Sequence, residues 1–286
     1  MRTLELHHVN PVELLKRSVR AFLDDDMPTY AAALSYSALF ALFPFLIFLI
    51  ALLGFLHIPD FFDWLLEQAQ PAMPSDSYSL VESVIRDIQG KSRGGLLSVG
   101  ILIAIWSASS GIRSVMNAMN VAFGVEETRS ALRRYALSVV YTIGLAALLI
   151  ASAALMLVGP RAIRWIADQA DLGSQFVTLW TWLRWPVLVL LLMMVAALIY
   201  YVAPNVDQPF ALVSPGAVVA VIIWVLASVG FSLYVSNFSN YSATYGSLGG
   251  IIVLLLYFYI SSAVLLLGAE VNAELRRAAV EAPDDP

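Results

Sequence analysis

One apolar segment carries four polar residues whose types suit anion binding. They are Ser110, Arg113, Asn117 and Asn120, which follow one another at spacings of three, four and three residues. At about 100° per residue, a helix places them within an arc of about 80°. A guanidinium inside an apolar segment is costly unless it faces a cavity or a partner. This face is therefore a candidate pathway for an anionic headgroup or solute.

A buried arginine favours a carboxylate partner, and Glu270 is the acidic residue nearest to Arg113 in predicted depth. Arg113 lies 19 residues after Gly94 and Glu270 lies 23 after Ser247, so their depths differ by roughly 6 Å. We expect the two side chains to meet, with Glu274 one turn beyond Glu270 on the same face. The residue types fit either a fixed ion pair that sets helix register or a substrate or proton site.

A second polar pattern repeats every fourth residue in a later apolar segment. Its members are Ser228, Ser232, Ser236 and Asn240. Small residues at this spacing are typical of close helix packing in membranes, and the wall of a hydrophilic pathway is the alternative.

The composition excludes an ordinary soluble domain and a basic nucleic-acid binder. Of the 286 residues, 60% are hydrophobic and 13% are charged, and the formal net charge is -5, against about 25% charged residues in an average soluble domain. We therefore expect no nucleic-acid partner. The chain has no cysteine, which excludes disulfides, thiolate metal sites and a cysteine nucleophile.

Six charge-poor windows are long enough to cross a bilayer as helices. They run over Tyr30–His57, Gly94–Phe123, Tyr135–Val158, Trp185–Ala203, Phe210–Phe238 and Ser247–Val271. The sequence thus predicts an all-α polytopic membrane protein with a six-helix transmembrane domain over residues 30–272. Pro44, near the middle of the first window, predicts a kink.

The segments outside the windows predict further helices at the membrane surface. Residues 1–29 form a charged N-terminal segment in which Asn10, Pro11 and Glu13 suit the N-cap and first turn of an amphipathic helix lying in the interface. Residues 58–93 and 159–184 are long loops, the first with an apolar helical stripe and the second rich in tryptophan. We expect both to hold helical segments at the outer surface, the tryptophans forming an aromatic belt.

Lysine and arginine residues favour an orientation with both termini in the cytoplasm. Nine lie in the N-terminal segment, in the connection after the second window and in the tail over residues 273–286, whereas six lie on the other side. The predicted location is the bacterial inner membrane.

The same segments carry a family resemblance. The runs AAALSYSALFALFPFL, GIRSVMNAMNVAFGVEETRS and YGSLGGIIVLLLYFYISSAVLLLGAEVNAEL are similar to those of the YihY/virulence factor BrkB family of bacterial inner-membrane proteins. The resemblance covers nearly the whole chain. It implies six transmembrane helices with cytoplasmic termini, and it supplies no established reaction.

The label ribonuclease BN, which members of this family have carried, finds no support in the residues. The nuclease of that name is a zinc-dependent hydrolase that needs a cluster such as HxHxDH, whereas this chain has only His7, His8 and His57. The P-loop, GxSxG, HExxH and dinucleotide motifs are also missing from the sequence. We expect no enzymatic activity, no metal and no cofactor.

Two functions fit the pattern. The first is a transporter or permease for lipid, an envelope component or an anionic solute, in which Arg113 and Glu270 line a cytoplasmic-side cavity. The second is a non-transporting membrane scaffold in envelope maintenance, in which the same residues only lock the helices. Membrane lipids are the expected partners, an anionic headgroup or envelope precursor among them, and a homo-oligomer is compatible with the small-residue faces.

Overall fold

The regular secondary structure in the described part of the chain is all helical and comprises seven continuous helices. The computed structural model describes residues 10–55, 94–157, 174–236 and 247–281, together with Leu66, Glu82, Ile163 and Ala167. The helices are α1 (Pro11–Asp24), α2 (Met27–Phe55), α3 (Gly94–Ala122), α4 (Ala131–Leu157), α5 (Ser174–Val202), α6 (Pro215–Ser236) and α7 (Ser247–Glu281). Apart from those four single positions, which are helical, the expected helices within 58–93 and 159–173 lie outside the described residues.

Four of these helices are long and apolar enough to cross a membrane. By length and composition the candidate spans are Ala131–Ser152, Gln175–Val202, Pro215–Val235 and Gly249–Val280. An apolar helix of about 20 residues covers the hydrocarbon thickness of a bilayer. The described residues therefore confirm an all-helical protein with four candidate spans, and the six-span arrangement stays a prediction.

Helix α1 begins as its sequence predicts. The side chain of Asn10 accepts a hydrogen bond from the backbone N–H of Val12 at 3.0 Å, and Pro11 occupies the first helical position. An asparagine cap satisfies one of the backbone donors that a helix leaves free, and proline has no N–H there to satisfy. The helix ends at a two-residue turn in which Asp26 has a φ of 53°.

Two helix boundaries differ clearly from the predictions. Helix α5 begins at Ser174, so residues 174–184, expected in an outer loop, are helical. Helix α7 continues to Glu281, so most of the expected tail over 273–286 extends the last helix. Both predicted helices were ended at charged residues or tryptophans. A helix can continue past such residues, because long side chains can reach the membrane surface or a polar partner.

The six long helices form a ring in which each packs against the next along the chain, and α7 packs against α2 to close it. Helix α7 also contacts α1 and α3. The buried core lies at one end of this ring, where α2 and α6 begin and where α3, α5 and α7 end. We call this the core end. Consecutive helices alternate in direction, which brings α1 and the end of α7 to the same end.

Candidate functional site

Arg113 lies between α3 and α4, where neighbouring side chains bind it. Its Nη1 donates hydrogen bonds to Ser109 Oγ and Ser138 Oγ, each at 3.1 Å. The guanidinium carbon also lies 4.2 Å from the centre of the Tyr135 ring, within range of a cation–π interaction. The guanidinium is thus sheltered by a hydroxyl of its own helix and by hydroxyl and aromatic groups of α4.

The predicted interaction between Arg113 and Glu270 is wrong. Arg113 is bound on the α4 side of α3, whereas Glu270 is fully buried on α7 and neither of its oxygens has a hydrogen-bond partner among the described residues. The prediction compared only the depths of the two residues. Depth does not decide towards which neighbour a side chain points, since that depends on the rotation of each helix in the bundle.

The remaining members of the α3 stripe separate into different contacts. Ser110 is exposed, and the Oδ1 of Asn117 accepts a hydrogen bond at 2.8 Å from Nη2 of Arg134. Asn120 is buried and bonds to groups outside the helix. The described residues therefore give these side chains separate partners and do not assemble them around one shared cavity.

The cluster around Asn120 ties two connections together at the core end. It contains Asn120, Glu127, Arg129 and Asn205, and we call it the loop lock. Nε and Nη2 of Arg129 each donate to one carboxylate oxygen of Glu127 at 2.7 Å, and Nη2 also donates to the carbonyl of Ala203 at 3.0 Å. Asn120 donates to Glu127 at 3.0 Å and accepts from the backbone N–H of Asn205 at 2.7 Å. The α3–α4 connection is thereby attached to the α5–α6 connection.

The electrostatics of the loop lock keep Glu127 charged. The hydrogen bond from the Arg129 side chain lowers the pKa of Glu127 to about 2, against the raising effect of its partial burial. A two-pronged guanidinium–carboxylate pair is a strong and directional contact. Glu127 and Arg129 belong to the run GIRSVMNAMNVAFGVEETRS, which carries the family resemblance, and neither is among the predicted site residues. The spacing of two residues between Glu127 and Arg129 was the sequence signal that could have predicted this ion pair.

Helices α6 and α7 touch through two glycines at the core end. A Cβ added to Gly268 would lie 2.7 Å from the carbonyl oxygen of Gly216 and 2.8 Å from Cβ of Ala220, with the Tyr200 hydroxyl also in contact. Asn272 accepts a hydrogen bond from the N–H of Gly216 at 2.9 Å. Only the absence of side chains allows this approach.

The four-residue pattern on α6 is not where the closest helix contact occurs. Ser228 hydrogen-bonds with Tyr257 of α7 at 3.1 Å, but Ser232 is exposed. Because four residues advance a helix by about 400°, such a pattern drifts about 40° per step and leaves the interface. The side chain of Ser236 and the whole of Asn240 lie outside the described residues, as does the side chain of Pro44. Helix α2 runs as one helix through position 44, and its predicted kink stays a prediction.

A group of charged residues surrounds the end of α7. Arg277 binds Glu274 and donates from Nη2 to the carbonyl of Ala122 at 2.7 Å, and the same Nη2 lies 3.9 Å from a carboxylate oxygen of Asp25. Glu270 lies one turn before Glu274, near enough to Asp25, Glu274 and Arg277 to be affected by their charges. We call Asp25, Glu270 and Glu274 the carboxylate cluster.

Apolar clefts open between the described helices, and two of them are well defined. The larger, about 500 Å³, lies between α1, α6 and α7, with walls formed by Pro11, Leu14, Leu15, Pro215, Val219, Ile222, Ile223, Val271 and Leu275. The smaller, about 180 Å³, lies between α5, α6 and α7 beside Trp224. The larger falls within the range of about 300–1,000 Å³ that is usual for ligand pockets.

Comparison with known proteins places the chain in a family. The model of the family described as virulence factor BrkB matches residues 18–286. The chain belongs to the BrkB family. This confirms the resemblance of the three sequence runs, and the chain is accordingly a membrane protein.

The curated relatives of this BrkB-family chain differ in length. YfkH of Bacillus subtilis, named as ribonuclease-like, is 40% identical over 247 residues, which cover 86% of this chain and 89% of YfkH. UPF0761 membrane proteins of Stenotrophomonas maltophilia and Rhodospirillum rubrum are each 28% identical over 89% and 90% of this chain. The chain spans only 58% and 57% of those two proteins. No solved structure matches it significantly.

Proposed function

We propose that this BrkB-family protein is a bacterial inner-membrane permease that handles anionic lipids, and that the larger cleft holds the lipid chain. The observation that carries the proposal is the cleft itself, which is apolar on every wall and lies beside an amphipathic helix. No chemical step is assigned to the protein. The proposal therefore treats it as a carrier of lipid and not as an enzyme.

The surroundings of the cleft favour a hydrocarbon occupant. Its wall on α6 includes Ile222, which is 54% exposed, and Leu226 beyond it is 66% exposed. Apolar side chains this exposed on a long apolar helix match the environment of lipid tails. An acyl chain can therefore enter the cleft sideways from the membrane without crossing a polar barrier.

Helix α1 supplies charges that complement an anionic headgroup. Its exposed apolar residues, Val12, Leu15, Val19 and Leu23, form one stripe about 80° wide. Lys16, Arg17 and Arg20 are exposed on the neighbouring face. A helix with this division lies in a membrane surface with its apolar stripe among the acyl chains, and each nearby cation attracts anionic lipid by about 1 kcal/mol.

The helix lengths support a placement of the bundle in the membrane. Helices α2 and α3 have 29 residues each, or about 44 Å at 1.5 Å per residue, which exceeds the roughly 30 Å of the hydrocarbon core. We propose that they cross the membrane with α4 to α7, giving six spans. The excess of lysine and arginine in the segments near both termini supports placing the core end, which carries α1 and the end of α7, on the cytoplasmic side.

Matched tryptophan substitutions on α6 test the lipid cleft. The purified protein is placed in vesicles that contain fluorescent phosphatidylglycerol, and lipid transfer between leaflets is followed by quenching from outside. Val219→Trp fills the cleft and is expected to lower the transfer rate at least several-fold. Val229→Trp is the control, since Val229 is 57% exposed on the same helix and does not line the cleft. Equal rates for both variants and the wild type refute the assignment.

A scaffold function is supported by a different observation. Arg113, Asn117 and Asn120 all form hydrogen bonds to neighbouring parts of the bundle, as residues that only lock helices together would. This function predicts that vesicles with wild-type protein transfer lipid no faster than vesicles without protein. It also predicts that Arg113→Ala acts only by lowering stability.

A further inference from the structure

Glu270 is the most completely buried charged residue in the described part of the chain. Its exposed fraction is 0%, and neither carboxylate oxygen has a hydrogen-bond partner among the described residues. A carboxylate in such a place loses its hydration without replacement, which costs several kcal/mol. Groups in this position usually become neutral or acquire a ligand.

The charged groups around Glu270 do not compensate it. Asp25 faces it from the α1–α2 turn, and Glu274 and Arg277 face it from α7 itself. Arg277 is already bound to Glu274, and its Nη2 donates to the carbonyl of Ala122. With all groups ionised, three carboxylates would share one guanidinium. The cluster would then hold an excess of two negative charges beside a buried core.

Partly exposed charged groups lie close to the buried carboxylate. The side chains of Asp25 and Arg277 are 30% and 38% exposed, and both groups are near enough to Glu270 to act on it electrostatically. A proton from solvent would therefore approach Glu270 by way of the partly exposed Asp25. The cluster also joins several elements, since Asp25 lies in the α1–α2 turn, Ala122 ends α3, and Glu270 belongs to α7.

We propose that Glu270 is a proton-binding site, placed where the α1–α2 turn and the end of α3 meet α7. Binding adds one proton from solvent to the carboxylate to give the neutral acid, and release returns that proton. The inference goes beyond the lipid cleft and does not depend on it. A metal cation is the less suitable occupant because it would need several oxygen ligands in a place where Arg277 already competes for Glu274.

Infrared spectroscopy of the full-length protein in lipid nanodiscs tests the site. Protonated carboxyl groups give a carbonyl band that ionised groups lack, and the band shifts in heavy water. At neutral pH the wild type and Glu274→Gln are expected to show the band, and Glu270→Gln is expected to lose it. Glutamine has nearly the shape of the neutral acid, so Glu270→Gln should fold. An unchanged band in Glu270→Gln overturns the proposal.

A second variant keeps the test independent of Glu270→Gln. Asp25→Asn removes one of the negative neighbours, which makes the ionised form of Glu270 less unfavourable. The pH at which the band disappears is then expected to fall by about one unit relative to the wild type. An unchanged midpoint overturns the proposal, and so does loss of the band on adding sodium at constant pH, which would identify a cation site. The infrared experiment does not measure lipid transfer, so a negative result would leave the proposed lipid function standing.

Discussion

Replacing Gly268 by alanine should separate α6 from α7 at the core end. The new Cβ would lie 2.7 Å from the carbonyl oxygen of Gly216 and 2.8 Å from Cβ of Ala220. The first of these atoms belongs to the backbone, so the contact can be relieved only by moving a helix. The Tyr200 hydroxyl, which donates to the carbonyl of Leu265 at 2.8 Å, is in the way as well.

The expected loss of stability can be estimated from these contacts. Overpacking of a close interface costs about 1–3 kcal/mol, and the backbone contact puts this site near the upper value. Displacing the Tyr200 hydroxyl removes a hydrogen bond worth about 1 kcal/mol, while alanine gains about 1 kcal/mol over glycine in helix propensity. The net destabilisation is about 3 kcal/mol, or roughly a hundredfold in the unfolding equilibrium.

Equilibrium unfolding in mixed detergent micelles, followed by circular dichroism, measures this effect. The matched control is Gly230→Ala on α6, where an added Cβ meets nothing within 4 Å. We expect the control to unfold like the wild type or slightly later. If Gly268→Ala unfolded together with Gly230→Ala, the close approach of the two helices would be refuted.

Three further outcomes are expected from the polar contacts. The pKa of Glu127 in the folded protein lies below its ordinary value, so the carboxylate stabilises the fold above about pH 4.5 and loses this contribution as the pH falls towards 2. The melting temperature of Glu127→Gln should therefore be lower than that of the wild type at neutral pH, and the two should converge in acid. A double-mutant cycle of Arg113→Ala and Ser138→Ala should give a coupling energy of about 0.5–1.5 kcal/mol in the same unfolding assay, and zero coupling would contradict their hydrogen bond. A cycle of Arg113→Ala and Glu270→Gln should be additive within about 0.5 kcal/mol, and strong coupling would restore the ion pair that the structure rejects.

The candidate residues illustrate what a sequence can predict about a site. The free-energy cost of burying a charged side chain depends on the residue type, so the sequence alone indicates that Arg113 and Glu270 need a partner or a cavity. Their partners were not predictable from spacing. The rotation of α4 brings the hydroxyl of Ser138, which belongs to no polar pattern in the sequence, to the guanidinium of Arg113.

The loop lock shows the same division between local and distant information. The pairing of Glu127 with Arg129 is local, and a spacing of two residues in a turn could have indicated it. The attachment of Arg129 to Ala203 and of Asn120 to Asn205 is not local, since more than 70 residues separate the partners. Such a contact exists only when the ends of α3 and α5 already lie side by side.

The sequence by itself determined that the long helices suit an apolar membrane environment, where α1 begins, and which charged residues need a partner when buried. These follow from hydrophobicity, from backbone donors at a helix end and from the energy of an isolated charge, all of which are carried within one segment. Tertiary structure alone decided that Arg113 turns to α4, that Glu270 has no hydrogen-bond partner among the described residues, and that Gly216 meets Gly268. Each of these outcomes depends on the rotation and spacing of whole helices, which all interfaces of the bundle fix together.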